Sequence, residues 1–258
     1  MNALGCVVTG FVIGVLIAYS GVGAGSLLTP LLVLSGVPAS IAIGSDLLFA
    51  LVTKVVALVA HVRARTIDRE LLMRLGPAGF VGTIVGIALT NVLHVHLGRS
   101  NVDHILKLLL GVALVIAAVA ISVRPFLGRA TAPKPASYPR KRLAVLGFFV
   151  GLMVSLTSIG AGSLTLPLLL LCVPGVTLSH MVGTDIAFAV VLLAPSLLGH
   201  AALGDVNLNL SALLLLGSIP GVFVGARIHA RLPDALFRFG MAVILTTVGV
   251  FMMVRAGA

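Results

Sequence analysis

Charged residues are scarce in this sequence. Asp, Glu, Lys and Arg make up only 9% of its 258 residues, whereas soluble domains carry roughly 25% charged residues. This scarcity excludes an ordinary soluble fold. Hydrophobic residues make up 59% of the chain, and apolar stretches of about 20 residues, long enough to cross a bilayer, recur along it. The sequence therefore predicts an all-α polytopic membrane protein without a separate soluble domain.

Cysteine is almost absent as well. Cys6 and Cys172 both lie in apolar stretches, which excludes a disulfide framework and favours a packing role for each. No cluster of cysteines or acids supports the histidines as a zinc set, so we expect neither a metal nor another cofactor. The apolar stretch 4–18 lacks the basic start and cleavage pattern of a signal peptide, and we interpret it as part of the mature fold.

Positive charge exceeds negative charge, and it is concentrated in one segment. The formal net charge is +10, and six of the 17 Lys and Arg residues lie in 124–142 together with four prolines and no acid. This composition predicts a connecting loop. Positive loops favour the cytoplasmic side of a membrane and attract anionic lipid headgroups. Basic and aromatic residues are not interleaved, so we do not expect a nucleic-acid partner.

The basic segment 124–142 separates two related membrane repeats, 1–123 and 143–258. The tetrapeptide Gly-Ala-Gly-Ser at 23–26 recurs at 160–163, an offset of 137 residues, and a two-residue insertion then changes the offset to 139. So many aligned polar and glycine positions indicate an internal duplication. The pairs at the second offset include Gly44/Gly183, Asp46/Asp185, Phe49/Phe188, His61/His200, Gly82/Gly221 and Gly86/Gly225.

Each repeat contains four apolar segments, and the first of them is unusual. It has about 30 residues, which is too long for one ordinary span, and the Gly-Ala-Gly-Ser motif interrupts it. The predicted segments are 3–36, 40–60, 71–92 and 104–123 in the first repeat, and 143–172, 178–201, 210–228 and 236–254 in the second.

Two topologies fit these segments. If every segment crosses once, the repeats are parallel, and the basic loops 63–69 and 227–238 lie on opposite sides. If each broken segment is a re-entrant hairpin, each repeat crosses three times and the second repeat is inverted. Both basic loops then share a side with 124–142. Because positive loops favour the cytoplasm, we predict inverted repeats with a cytoplasmic linker and both termini outside.

The broken segments are the candidate substrate site. Small residues also serve close helix packing in membranes, which is the structural alternative for these glycines. However, a serine follows each glycine cluster and could cap a half-helix, whose free N–H groups would attract an anion at mid-membrane. Two such half-helices meet at the midplane in many transporters. The predicted substrate-binding residues are Gly23, Gly25, Ser26, Gly160, Gly162 and Ser163.

Two aspartates and a lysine interrupt the apolar helices. Polar residues at membrane depth are costly and are often functional. Asp46 and Asp185 are candidate proton carriers, or else carboxylates at the interface that interact with a helix dipole. Lys54 has no basic counterpart, since Leu193 occupies its position in the second repeat. It could pair with Asp46, face an anion pathway, or extend to the headgroups.

Histidines end two equivalent helices. His61 and His200 could couple transport to protons, although the helix dipole also favours histidine at a C-terminus. His94 and the remaining histidines lie near segment ends, and we predict an interfacial position for them.

The paired Gly-Ala-Gly-Ser breaks, the Gly-Ser-Asp/Gly-Thr-Asp pair at 44–46 and 183–185, and the basic linker together resemble the TauE/SafE family over nearly the whole chain. The resemblance implies a bacterial or archaeal permease of the cytoplasmic membrane that carries sulfite, an organosulfonate or another sulfur-containing anion. It also implies coupling to the proton gradient, with the glycines and serines of the breaks near the substrate.

The leading hypothesis is thus a secondary anion transporter that works by alternating access, with protons and membrane lipids as further partners. The alternative is a passive anion channel with the same site. We do not expect an enzyme, because catalysis needs one asymmetric nucleophile–base pair, whereas both the serines and the histidines are duplicated here.

Overall fold

The protein is helical throughout the residues that the computed structural model describes, which are 2–20, 23–123, 138–173, 176–229 and 234–257, and these ranges contain no strand. Five of the described helical stretches are long and apolar enough to cross a membrane, which confirms the prediction of a polytopic helical membrane protein. The helices are α1 Ala3–Ser20, α2 Leu28–Leu34, α3 Ala39–Arg63, α4 Arg69–Val123, α5 Arg140–Thr157, α6 Thr165–Cys172, α7 Leu178–Ala202, α8 Leu208–His229 and α9 Asp234–Gly257.

Helix α4 consists of two spans joined at a kink. Gly98 adopts φ 72° and ψ 161°, a conformation that glycine reaches without a Cβ penalty. The spans on either side are Arg69–Gly98 and Asn101–Ser122, called here the first and second arms. They correspond to the two predicted segments 71–92 and 104–123.

The helix boundaries repeat at the offsets read from the sequence. Helices α1 and α5 each have 18 residues and start 137 positions apart, and α3 and α7 each have 25 residues and start 139 positions apart. The predicted linker 124–142 is shorter at its end, because α5 already begins at Arg140. Residues 124–137 of that linker lie outside the described residues.

The first helix of each repeat packs against the other repeat, α1 along α8 and α5 along α4. Glycines make these approaches close: a Cβ on Gly14 would overlap the backbone of Ser218, and one on Gly151 would overlap the carbonyl oxygen of Gly79. Small residues at such contacts let two backbones approach in a membrane. The two repeats are therefore interlocked.

Helices α3 and α7 pack against each other with opposite ends together. A Cβ on Gly44, near the start of α3, would lie 2.5 Å from the carbonyl oxygen of Asp205, just beyond the end of α7. A Cβ on Gly183, near the start of α7, would lie 2.5 Å from the carbonyl oxygen of Thr66, just beyond the end of α3. The two equivalent helices therefore run antiparallel.

Asp68 and Tyr138 join the start of α4 to the start of α5. Asp68 Oδ1 accepts hydrogen bonds from the backbone N–H groups of Glu70 and Leu71, both at 3.1 Å, and so caps α4. The Tyr138 hydroxyl donates to Asp68 Oδ2 at 2.5 Å. Burial and the neighbouring carboxylate raise the pKa of Tyr138, so that the phenol stays protonated and remains a donor.

Candidate functional site

Both glycine motifs break a helix, and the two breaks differ in backbone form. In the first, α1 ends at Ser20 and a 3-10 turn, Ala24–Ser26, precedes α2. In the second, Ser158 at φ 60° terminates α5 and Gly162 takes φ 90° before α6. Since glycine adopts positive φ readily, Gly162 allows a reversal that other residues would strain.

The serines do not cap the half-helices, so the sequence prediction of this role is wrong. The N-cap positions are Leu27 and Leu164, and neither side chain makes a capping hydrogen bond. The Ser26 hydroxyl instead donates to the Gly23 carbonyl at 2.9 Å. The Ser163 hydroxyl is buried and has no hydrogen-bond partner among the described residues.

The two breaks contact each other inside the protein. A Cβ on Gly23 would overlap the carbonyl oxygen of Ala161, and a Cβ on Gly162 would lie 3.1 Å from the Gly23 amide nitrogen. A Cβ on Gly25 would likewise overlap the carbonyl oxygen of Ser158. These residues are buried, and we call their contact the crossing of the breaks.

Gly160 has a different position. A Cβ on it would meet the side chains of Val154 and Val150, so it faces α5. Its carbonyl oxygen accepts hydrogen bonds from the N–H groups of Leu164 and Thr165, at 3.0 and 3.1 Å. Gly160 therefore stabilises the start of α6 and does not take part in the contact between the two breaks.

Lys54 lies at the crossing and pairs with the aspartate of the other repeat. Its Nζ is 3.2 Å from Asp185 Oδ2, and it would be 3.7 Å from a Cβ on Gly162. Asp185 Oδ1 accepts the N–H of Gly162 at 3.1 Å. Pairing of Lys54 with Asp46, one of the alternatives from the sequence, is therefore not observed.

Asp46 is buried on the other flank of the breaks. It is 0% exposed, and its Oδ2 accepts a 2.6 Å hydrogen bond from the Thr29 hydroxyl in α2. The Ser158 hydroxyl lies near this carboxylate, but neither it nor Asp46 Oδ1 makes a hydrogen bond with a described residue. Asp185 is only 2% exposed, so both carboxylates face the protein interior. Each aspartate contacts the broken segment of its own repeat.

The two equivalent histidines have different partners. His61 Nδ1 lies 2.7 Å from the Thr66 hydroxyl. His200 Nδ1 lies 3.3 Å from Asp205 Oδ2, and its Nε2 lies 2.9 Å from the Ser155 carbonyl oxygen. His200 therefore connects the turn after α7 with the last turn of α5, close to the second break.

Sequence reasoning missed Asp205 and its contact with His94. Asp205 is fully buried, and His94 Nε2 lies 3.9 Å from its Oδ1. The side chain of His94 is only 10% exposed, so it faces the protein interior near the end of the first arm of α4. The sequence did contain an indication of Asp205. At the offset of 139 it aligns with Thr66, so the acid occurs in the second repeat and is absent from the equivalent position of the first.

A groove of about 510 Å³ between α4, α5 and α6 is separate from this site. Apolar side chains dominate its lining, and Lys141 and Arg142 lie at one end of it. None of the predicted substrate residues lines the groove. Its composition suits contact with lipid rather than a small anion.

The family comparison agrees with this architecture. The sequence model of the family described as sulfite exporter TauE/SafE matches residues 6–252. The chain belongs to this family. A TauE/SafE protein is a membrane transport protein, and both breaks, both aspartates and Lys54 lie within the matched range.

Two curated relatives cover nearly the whole chain. One is described as probable membrane transporter protein YjnA from Bacillus subtilis (strain 168), and it is 35% identical over 94% of this chain and 96% of its own length. The other is described as probable membrane transporter protein YdhB from the same organism, and it is 23% identical over 88% of this chain and 91% of its own length. No solved structure matches the chain.

Proposed function

We propose that the protein is a secondary transporter of a small sulfur-containing anion, sulfite or an organosulfonate, that binds at the crossing of the two breaks. The single observation that carries this proposal is the position of Lys54, whose ammonium group lies beside the Gly23–Gly162 contact. An ammonium and backbone N–H groups are suitable donors for oxyanions. The family description, which names sulfite exporters, agrees with this substrate class.

The carboxylate of Asp185 occupies the same two donors that a bound anion would use. One oxygen faces the Lys54 ammonium at 3.2 Å and the other accepts the Gly162 N–H at 3.1 Å. A sulfite or sulfonate group, which presents three oxygens, would compete for the same two donors. Substrate binding therefore requires Asp185 to move away or to be neutralised, and both changes would release the second break.

Asp46 is the proposed proton carrier. Its Oδ1 is buried without a hydrogen-bond partner among the described residues, and a buried charge is costly unless it is paired or neutralised. A proton on Asp46 would also change its hydrogen bond with Thr29 in α2. Protonation of Asp46 would thus alter the first break, whereas substrate binding would alter the second break by displacing Asp185.

Alternating access is proposed to use inverted repeats. The antiparallel packing of α3 and α7 supports inversion, since both helices are long and apolar enough to cross the membrane. Asp68 and Tyr138 join the starts of α4 and α5, at the same side as the basic loop 63–69. By the positive-inside rule this is the cytoplasmic side of a prokaryotic inner membrane. Rocking of one repeat against the other would then expose the crossing to either side.

Proteoliposomes test the proposal. We expect purified protein to accumulate labelled sulfite or sulfoacetate against its gradient when a pH difference is imposed, and Lys54→Met to reduce uptake by about tenfold or more because the anion loses its ammonium partner. Lys107→Met, a lysine on the second arm of α4, is the matched control. Absence of flux for every sulfur oxyanion would refute the proposal. Uptake that stops when the anion concentrations inside and outside are equal would favour a passive anion channel instead.

A further inference from the structure

We propose that His94, Asp205 and His200 form a proton pathway that leads from one membrane face towards Asp46, beside the two breaks. The inference rests on the transport function proposed above and adds the route by which protons reach the site. All three groups are buried or nearly so, with exposures of 10% for the His94 side chain, 0% for Asp205 and 1% for His200. Buried ionisable groups in contact within a membrane protein are typical of proton relays.

The hydrogen bonds of the two histidines show why this cluster holds an exchangeable proton. His200 Nε2 lies 2.9 Å from the Ser155 carbonyl, and His94 Nδ1 lies 2.9 Å from the Thr90 carbonyl. A carbonyl only accepts, so each of these nitrogens must carry the hydrogen. A neutral imidazole then directs the lone pair of its other nitrogen at Asp205. The contacts with Asp205 are attractive only when an additional proton is present in the cluster.

Asp205 lies between the two histidines and uses a different oxygen for each. Its Oδ2 is 3.3 Å from His200 Nδ1, and its Oδ1 is 3.9 Å from His94 Nε2. The first distance allows direct transfer, whereas the second requires a small ring movement or one bridging water. No group of three or more His, Cys, Asp or Glu side chains among the described residues is arranged to hold a metal ion.

The pathway has an outer and an inner end. His94 is the partly exposed member, near the end of the first arm of α4, where the exposed His96 follows. His200 contacts Ser155, three residues before Ser158, whose hydroxyl faces Asp46. The neighbouring helix α3 places Gly44 against Asp205, and Asp46 is the ionisable group that follows on this helix. The route therefore leads from the surface towards Asp46.

The histidine–carboxylate pair of this pathway, His200 and Asp205, has no equivalent pair in the first repeat. At the offset of 139, His200 and Asp205 correspond to His61 and Thr66, and the His61–Thr66 contact has a hydroxyl where the second repeat has a carboxylate. A hydroxyl cannot hold the additional proton as a carboxylate can. Proton access is thus built at the face where α7 ends and not at the face where α3 ends.

Asp205→Asn, His94→Gln and Asp205→Thr test the pathway, with His61→Gln as the matched control. We expect the three test variants to lose about tenfold or more of pH-driven accumulation of labelled sulfite, while sulfite exchange at equal pH stays near the wild-type rate because it needs no net proton. The control should keep both activities. Accumulation at the wild-type level in Asp205→Asn would overturn the pathway, and so would a parallel loss of exchange, which indicates a structural role.

A measurement without substrate separates the two proposals. Infrared difference spectra between acidic and alkaline buffer should contain carboxyl and imidazole bands that Asp205→Asn removes and His61→Gln leaves in place. If the wild type transports no sulfur anion but these bands change as expected, the proton site stands and the proposed function fails. If Asp205→Asn leaves the spectrum unchanged, the pathway is wrong whatever the transport assay gives.

Discussion

The ammonium group of Lys54 lies 3.2 Å from the carboxylate of Asp185, a residue 131 positions later in the chain and in the other repeat. The pair joins α3 to α7 beside the crossing of the breaks. Leu193 occupies the position equivalent to Lys54, so the duplication supplies two aspartates but a single lysine. The two halves of the site are therefore chemically different, with a cation at Asp185 and a hydroxyl donor at Asp46.

Replacement of Lys54 by Met should destabilise the protein by about 1–3 kcal/mol, because it leaves the buried Asp185 carboxylate without its ammonium partner. The partial exposure of Lys54, 18% of its side chain, keeps the effect below that of a fully buried pair. Thermal unfolding in detergent measures the change. The double variant Lys54→Met/Asp185→Asn should recover most of this stability without recovering transport, and a double variant as unstable as Lys54→Met would contradict the pairing.

Thr29→Val should cost about 1–3 kcal/mol, since it removes the hydroxyl that donates to buried Asp46 and leaves that oxygen unsatisfied. Valine has nearly the same shape, so packing is retained. Ser35→Ala is the control, because the Ser35 hydroxyl donates a hydrogen bond to the Leu31 carbonyl at an exposed position. Loss of this hydrogen bond should have little effect on thermal unfolding. Equal stability of Thr29→Val and wild type would show that the bond to Asp46 contributes nothing.

The helices and the two breaks could be predicted from the sequence because each depends on local composition, and the duplication could be predicted because the same residues recur at a nearly constant offset. The apolar runs specify α3 and α7, and the glycine motif marks a break whatever surrounds it. The predicted half-helix starts were wrong by one or two residues, since Ser26 bonds backwards to Gly23 and does not cap α2. Boundaries of this kind depend on backbone dihedral angles that residue type does not determine.

The partners of the polar residues could not be predicted, because they belong to different repeats. Spacing along α3 suggested Asp46 for Lys54, but the antiparallel contact with α7 brings Asp185 to it. Asp205 was missed for a similar reason, since it lies in a short turn that is buried against α3 and the first arm of α4. Such pairings follow from helix packing over more than 100 residues of chain, which periodicity does not encode.

Gly23→Ala and Gly25→Ala should each destabilise the protein and reduce transport. The added methyl group would overlap a backbone carbonyl across the crossing, that of Ala161 or that of Ser158, and backbone cannot move aside as a side chain can. The expected cost is about 1–3 kcal/mol in thermal unfolding. Gly240→Ala in α9 is the matched control, because nothing lies within 4 Å of its added Cβ and alanine favours helix there. Wild-type behaviour of Gly23→Ala would mean that the breaks do not touch.

Single cysteines just after α3 and at the end of α7 should decide the orientation of the repeats. The exposed residues Ala64 and Ala202 follow α3 and end α7, and Cys6 and Cys172 can first be replaced by alanine to give a cysteine-free background. With inverted repeats Ala202→Cys lies outside and should react with a membrane-impermeant maleimide in intact cells. Ala64→Cys should react only after permeabilisation, since the basic loop 63–69 stays in the cytoplasm. In a parallel eight-span arrangement both positions would be labelled from the cytoplasmic side or both from outside. The antiparallel contacts of Gly44 with Asp205 and of Gly183 with Thr66 lead us to expect opposite labelling.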